Sequence, residues 1–478
     1  MASPGSILEQ LGCIVPECGA LLTVLARDPS DANALASLGT LLLHEGYTSA
    51  ASAVFTQAIA AHPLDAAAHV NLASLLRRSD RPGPARDAYE TALRLDPANP
   101  EAHQGLAYLL DGTDTRAAAR HRQSGFSGRV LTTMPYEGPL ESDNKPVTVL
   151  RLVSAHGGNI PTAHILNGRF CRTHTVVAEY AKRSLKLPPH DVVFNAIGDA
   201  EACAPALRAA SRLLAGGTAH VLNPPARIMA TTRINNARRL AKLPGVIAPR
   251  IVLCVRSSLA KGPPEGFAYP FLLRSPGFHT GQHFARITHA AELPAALAAL
   301  PGGELMVLQY LNATRPDGAA RKYRVMFIGH QLMPLHLAIS TSWKVHYFTA
   351  DMHADAAHRA EEQQFLTNMP AVLGPIAMQA LTAIEAELGL DYGGIDFALS
   401  PDGPGAAVRS QRHHDHHPAT KGIHMGLPPL RRHPSPIRRP IPNRDPQPEQ
   451  IKVFCFFFSK KKALPSYPPQ VAARPPAN

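Results

Sequence analysis

Residues 38–63 read LGTLLLHEGYTSAASAVFTQAIAAHP, residues 72–97 read LASLLRRSDRPGPARDAYETALRLDP, and residues 106–123 read LAYLLDGTDTRAAARHRQ. The three segments align at a spacing of 34. Leu38, Leu72 and Leu106 fall in register, as do Leu42, Leu76 and Leu110, and Ala51, Ala85 and Ala119. Phe55 is matched by Tyr89, Ala58 by Ala92, and Pro29 by Pro63 and Pro97. Small residues at Gly39, Ala73 and Ala107 let paired helices approach closely, and the aromatic at 55 and 89 fills the space between hairpins. Each proline lacks an amide donor and stops the second helix of its pair. A single hairpin of this size cannot bury its own apolar face, so neighbours must stack.

This pattern resembles the tetratricopeptide (TPR) repeat, which implies an all-α array of helical hairpins over residues 1–123: a leading half-repeat at 6–28, two full repeats and a partial third. Buried positions are expected at Leu38, Leu42, Phe55, Leu72, Leu76 and Tyr89. Such arrays dock proteins or peptides in their groove.

Residues 124–146 are rich in Gly, Ser, Thr and Pro and read as a linker. Beyond them strands alternate with helices, an α/β signature. Strands are expected at 147–153, 175–179, 191–197, 251–255, 271–274, 306–311, 323–328 and 390–400. Helices are expected at 200–214, 228–243 and 368–388.

Six cysteines lie at 13, 18, 171, 203, 254 and 455 without a CxxC pair, a usage that suits a reducing cytoplasm. No stretch reads as a membrane helix and the N-terminus lacks a secretory signal, so no membrane partner is expected. The net charge is +12. Residues 404–478 hold 13 Lys+Arg and 3 Asp+Glu, a net of +10, which leaves +2 for the rest of the chain. The basicity is therefore local, and nucleic acid is not expected as a partner.

Five stretches carry chemistry. In Tyr269–Gln282 a strand ends in the cation Arg274 and enters a loop with Gly277, His279 and Gly281, which can wrap backbone amides around a phosphate. Arg233 opens a helix that leads to Gly245 and Pro249. Gln309-Tyr310-Leu311 ends a strand. Arg321-Lys322-Tyr323-Arg324 enters an apolar strand, with His336 and Lys344 in the following strand and loop. Gly394-Ile395-Asp396-Phe397 offers a carboxylate, the hard ligand that Mg²⁺ prefers.

From 147 to 403 the order of these features resembles the ATP-grasp superfamily, which includes D-alanine–D-alanine ligase and glutathione synthetase. The resemblance implies an N-terminal α/β subdomain at 147–225 and a truncated α+β nucleotide-binding region at 226–403. It implies ATP and Mg²⁺ as cofactors and a small carboxylate as substrate. Arg233, Arg274, Gly277, His279, Gly281 and Gln309 would contact ATP. Arg324, His336 and Lys344 would act on the transferring phosphoryl group, and Asp396 would hold the metal. A lysine is usual where Arg274 stands, and an acidic residue where Gln309 stands.

In that family a return strand bearing Glu and Asn follows the turn at Asp402-Gly403. None is legible here. Residues 404–478 contain 15 of the 45 prolines. They also carry the His413, His414, His416 and His417 cluster, and as written they read as a disordered tail. A one-base shift at codon 404 permits RALLFEAN over 404–411, which restores both residues, so the tail reads as out of frame. The chain is thus expected to be an ATP-dependent carboxylate–amine or carboxylate–thiol ligase with a TPR module, impaired at its metal site. The alternative is a non-catalytic TPR scaffold with a degenerate domain.

Overall fold

A computed structural model describes residues 16–400, apart from residue 112, 139–144, 163–164, 279–281, 346, 348–349 and 351. His279, Gly281, the start of the leading half-repeat, the 402–403 turn and the whole 404–478 segment lie outside the described residues. The chain has N-terminal helical repeats followed by mixed α/β sheets. The described residues fall into two compact units, 16–132 with 180–182, and 133–179 with 183–400.

Among the described residues, seven helices make the first unit: α1 (Pro16–Arg27), α2 (Ala32–His44), α3 (Thr48–Ala61), α4 (Ala66–Arg78), α5 (Pro82–Leu95), α6 (Pro100–Leu110) and α7 (Thr115–Phe126). Three of their starts repeat the 34-residue spacing in their caps. Asp31, Asp65 and Asn99 each accept a hydrogen bond from a first-turn amide at 2.7–2.9 Å, which satisfies donors that a helix start leaves open. Leu38, Leu42, Phe55, Leu76 and Tyr89 are buried as expected, while Leu72 is half-buried at the edge of the core. Phe55 and Tyr89 are both 1% exposed. A Cβ placed on Gly39 would fall inside the Phe55 ring, and one on Gly105 inside the Tyr89 ring. The small residue beneath Tyr89 in the next helix is therefore Gly105, which the repeat alignment did not single out.

The alignment slips in the third repeat. α3 and α5 start 34 residues apart, but α7 starts 33 after α5. α6 is two residues shorter than α4 and its connection to α7 one residue longer, so α7 is rotated, with Ala118 fully buried and Ala119 exposed. Arg122 is drawn into the interior, where it pairs with Asp111 at 2.7 Å.

Among the described residues, the second unit holds three sheets. The first is five-stranded, in the order β1 (Leu131–Met134), β3 (Cys171–Val177), β2 (Val147–Val153), β4 (Val192–Asn195), β5 (His220–Leu222). β2 pairs in parallel with both β3 and β4, and β4 pairs in parallel with β5. β1 and the end of α7 occupy part of the span read as a linker. α8 (Ala204–Leu213), α9 (Pro225–Met229) and α10 (Arg233–Leu240) follow, the last two replacing the single helix expected at 228–243.

The second sheet is antiparallel, β6 (Ile251–Val255), β9 (Glu304–Gln309), β7 (Phe271–Arg274), β8 (Phe284–Ile287). α11 (Arg256–Leu259) and α12 (Leu293–Ala299) lie in its connections. The third is β11 (Gln331–Ser340), β10 (Ala320–Ile328), β12 (Tyr392–Phe397), again antiparallel. α13 (Ala356–Thr367) and α14 (Met369–Leu388) precede β12. Contrary to the sequence expectation, α14 is long and apolar enough by composition to cross a membrane. It buries Leu373, Ala377, Leu381, Ile384 and Leu388 inside this unit and is broken at Gly374, whose φ is 75°.

Asn223 ties the first sheet to β12. It is fully buried with φ 53°, a left-handed conformation that asparagine tolerates better than most residues. Its side chain donates to Tyr392 O at 2.6 Å and accepts from Tyr392 N at 3.1 Å, and its own amide donates to Asp391 Oδ2 at 2.8 Å. Asn223→Ala is expected to cost about 2 kcal/mol, because it removes the partners of two part-buried backbone groups of Tyr392. Urea unfolding should show a lower midpoint with an unchanged slope. A midpoint equal to that of the native chain would refute this role.

Candidate functional site

The third sheet builds one row of polar side chains across three strands. Arg324 on β10 stands opposite Asp396 on β12 and opposite His336 on β11. A bulge between Arg324 and Val325 sits at this point, the kind of irregularity that re-aims a side chain. Lys322, two residues earlier on the same face of β10, completes the cluster.

Arg324 grips Asp396 with two parallel bonds, Nε to Oδ1 and Nη2 to Oδ2, the second at 2.6 Å. Lys322 Nζ lies 3.5 Å from Asp396 Oδ2. Asp396 is 2% exposed. Burial pushes its carboxyl pKa upward, but the charges of Arg324 and Lys322, with His336 behind them, outweigh burial and hold it down at about 2. His336 packs its ring against Tyr347 at 4.6 Å between centroids.

A second cationic group forms at the end of β7. Arg274 is 1% exposed. Its Nη2 donates to Phe278 O and its guanidinium lies over the Phe284 ring at 5.6 Å. Nε and Nη1 are buried with no hydrogen-bond partner. Burial lowers its pKa to about 10, against the opposing charge of Asp199. Lys344 is lowered too, by burial and then by the Arg274 charge. Arg274 thus combines a repelling neighbour, Lys344, with two buried donors that have no acceptor. Gly277, φ 79°, supplies the left-handed turn after β7.

A narrow cleft of about 40 Å³ opens beside the Asp396 row. Tyr310–Thr314, leaving β9, form one wall, with Lys322, Asp396, Trp343 and Val345 on the others. Arg286 on β8 donates to Tyr310 Oη at 2.9 Å and stacks over both Tyr310 and Trp343 at 5.3 Å. Trp343 is the only tryptophan in the chain.

The structure thus joins Arg324, Asp396 and His336, and places Lys344 within the field of Arg274. It does not place two other expected residues in ligand-binding positions. Arg233 is 3% exposed and locked to Glu201 in an ion pair, and its amide donates to the same carboxylate at 2.9 Å. Gln309 is exposed, and its side-chain oxygen accepts from the Arg250 amide at 3.1 Å, which fastens the start of β6 to the end of β9. The neighbouring Tyr310, Leu311 and Asn312 line the cleft instead. Sequence reading gave no role to Lys322, Arg286 or Trp343, although Lys322 sat inside a quoted motif and the lone tryptophan stood out in the composition.

Mg²⁺ does not fit Asp396 as it stands. Magnesium needs several hard oxygens with open lone pairs. Both Asp396 oxygens face guanidinium donors and a lysine. No group of three His, Cys, Asp or Glu that could hold a metal occurs among the described residues.

No family model matches the chain and no curated protein matches it. Among solved structures, 314 chains match. One is MamA MSR-1 C2, 20% identical over 22% of this chain and 62% of that one, so this chain spans under two thirds of it, with a TM-score of 0.20. Another is MamA from Desulfovibrio magneticus RS-1, 23% identical over 26% of this chain and 75% of that one, TM-score 0.21. VanG D-Ala:D-Ser ligase from Enterococcus faecalis is 14% identical over 55% of this chain and 89% of its own length, TM-score 0.34. Likenesses at this level assign no function.

Proposed function

We propose that this chain is an ATP-grasp-type protein whose cleft takes a nucleoside triphosphate, joined to a TPR-type array that docks a protein or peptide. Residues 147–225 would be its N-terminal subdomain and 226–403 its nucleotide-binding region. The observation that carries the reading is Arg274, a guanidinium 1% exposed whose Nε and Nη1 lack acceptors. A phosphate matches those donors in charge and in planar geometry.

In this reading the triphosphate lies along Arg274, the Gly277 turn and Lys344, and the base lies against Tyr310 and Trp343. Arg324, His336 and Lys344 face the transferring phosphoryl group. The reaction class is carboxylate activation: a carboxylate oxygen attacks the γ-phosphorus, ADP leaves, and an amine or thiol then displaces phosphate from the acyl phosphate. A second reading, a non-catalytic scaffold, is favoured by the engagement of both Asp396 oxygens with Arg324.

ATP titrated into the full chain is expected to change Trp343 fluorescence saturably. Arg274→Met should weaken that binding by about 10- to 100-fold, the worth of one or two charge-assisted hydrogen bonds. Arg274→Lys, which keeps the charge without the fork, should fall between. ADP release on adding a carboxylate and an amine would establish the ligase. A flat ATP titration by both fluorescence and calorimetry would leave only the scaffold.

A further inference from the structure

We infer that His103 and His121 form a pH-sensitive latch in the helical array: the two rings share one proton, and a further proton on His103 opens the hairpin of α6 and α7. The latch lies in the first unit and does not depend on what the cleft of the second unit binds.

His103 on α6 and His121 on α7 are both half-buried and meet Nδ1 to Nδ1 at 2.8 Å, with ring centroids 5.0 Å apart. A contact of that length between two ring nitrogens needs one proton and one lone pair. The other nitrogen of His103 decides which ring supplies which. His103 Nε2 lies 3.0 Å from Pro97 O, a carbonyl that can only accept. Neutral His103 therefore carries its proton on Nε2 and its lone pair on Nδ1, and His121 Nδ1 is the donor. The resulting chain of bonds ties α7 through α6 to the residue that follows α5.

A first added proton goes to His121 Nε2, which has no hydrogen-bond partner among the described residues, and leaves the chain of bonds intact. The next must go to His103 Nδ1, the atom that is accepting. Two N–H groups on two imidazolium rings would then face each other, and the contact breaks. The preceding repeat shows what the second ring adds. His69, 34 residues before His103, reaches Pro63 O through Nε2 at 3.1 Å in the same way. The position 33 residues before His121 is Ala88, so a proton on His69 Nδ1 displaces no partner ring.

The charged groups around the pair do not offset the added charge. Arg86 and Glu90 on α5 are paired with each other at 2.7 Å, and with Arg94 and Asp114 they line the same hollow as His121. Asp114 is engaged as the cap of α7, Glu101 of α6 pairs with Arg129, and Arg77 of α4 lies over Tyr108. Burial, then the charges of His103 and Arg120, hold the His121 pKa below its ordinary value, against the pull of Glu90. A base depressed in the folded chain contributes stability that is present above its unfolded value of about 6.5 and lost as pH falls through it. The latch is closed at neutral pH and opens in acid.

Circular-dichroism melts of the full chain at about pH 7.5 and about pH 5 test this, with His121→Asn for comparison. The asparagine amide stands in for Nδ1 and does not titrate. On acidification the native helical transition is expected to fall by at least about 5 °C more than that of the variant. His103→Gln, which keeps a donor toward Pro97 O and removes Nδ1, should flatten the profile in the same way. Trp343 fluorescence, which reports the second unit, should shift equally in all three chains. Equal shifts of the helical transition in the native chain and both variants overturn the inference. Spectra of the native chain labelled with ¹⁵N-histidine decide the matter even where a variant folds poorly: at about pH 5 His103 Nδ1 should still be unprotonated. Both rings fully protonated by about pH 6, with the helical transition unmoved, would show that no latch exists.

Discussion

Replacing Arg324 by alanine is expected to cost the α/β unit about 3–5 kcal/mol, because it leaves the Asp396 carboxylate buried without its main partner. The pH dependence should weaken or reverse with it. In the native chain Asp396 is held at about 2, below its unfolded value near 3.9. A depressed carboxyl contributes stability that is present above pH ~4 and lost as pH falls toward 2. That contribution is on the order of 2 kcal/mol. In Arg324→Ala burial is opposed mainly by Lys322, so the carboxyl pKa rises and protonation relieves the buried charge. The variant should therefore lose less stability on acidification than the native chain, or gain some. Trp343 sits in this unit, and its fluorescence reports the unfolding directly. A double-mutant cycle with Asp396→Asn should recover much of the loss. Parallel pH profiles for native and Arg324→Ala chains would show that the pair is not the source of the stability.

Tyr89→Ala should remove about 3–5 kcal/mol from the helical unit. The ring is 1% exposed, covers Gly105 in the next hairpin, and its hydroxyl meets Ser74 Oγ at 2.9 Å. Its loss opens a cavity between stacked hairpins, which backbone packing on both sides prevents from closing. Tyr89→Phe keeps the ring and loses one hydrogen bond, worth about 1 kcal/mol. For a unit of this size each kcal/mol moves the melting temperature by about 4–8 °C. The helical circular-dichroism melt should therefore fall by well over 10 °C in the alanine variant and by a few degrees in the phenylalanine one. A loss under about 1 kcal/mol in Tyr89→Ala would mean that the hairpins do not stack through this ring.

The helical array was legible because its determinants are local and repeat. Leu38, Leu42, Phe55 and Tyr89 are buried by a pattern that any 34-residue comparison reveals. The slip at Ala118 was not legible, since one residue fewer between the leucines of α6 and the start of α7 rotates a whole helix without altering its composition. Strands β2, β6 and β7 match their expected limits because apolar runs end at turn residues. β5, β8 and the division between α9 and α10 were missed: these segments are short, and tertiary contacts rather than propensity decide them. In the site, the pairing of Arg324 with Asp396 depends on strand register across 72 residues of sequence, which a motif does not encode. Arg233 misled for the same reason, because Glu201, its partner, lies 32 residues upstream.

The Asn223 bridge also bears on how the chain assembles. Its bonds to Asp391 and Tyr392 join residues 168 and 169 positions apart, and such distant closures slow folding because loop entropy is lost before contacts form. During vectorial synthesis β5 must wait for the segment after α14 to leave the ribosome tunnel before its end is sealed. At about 5–20 residues per second that interval is on the order of ten seconds or more. Through it the parallel sheet stands with one margin unfinished, a period in which a chaperone has most to shield.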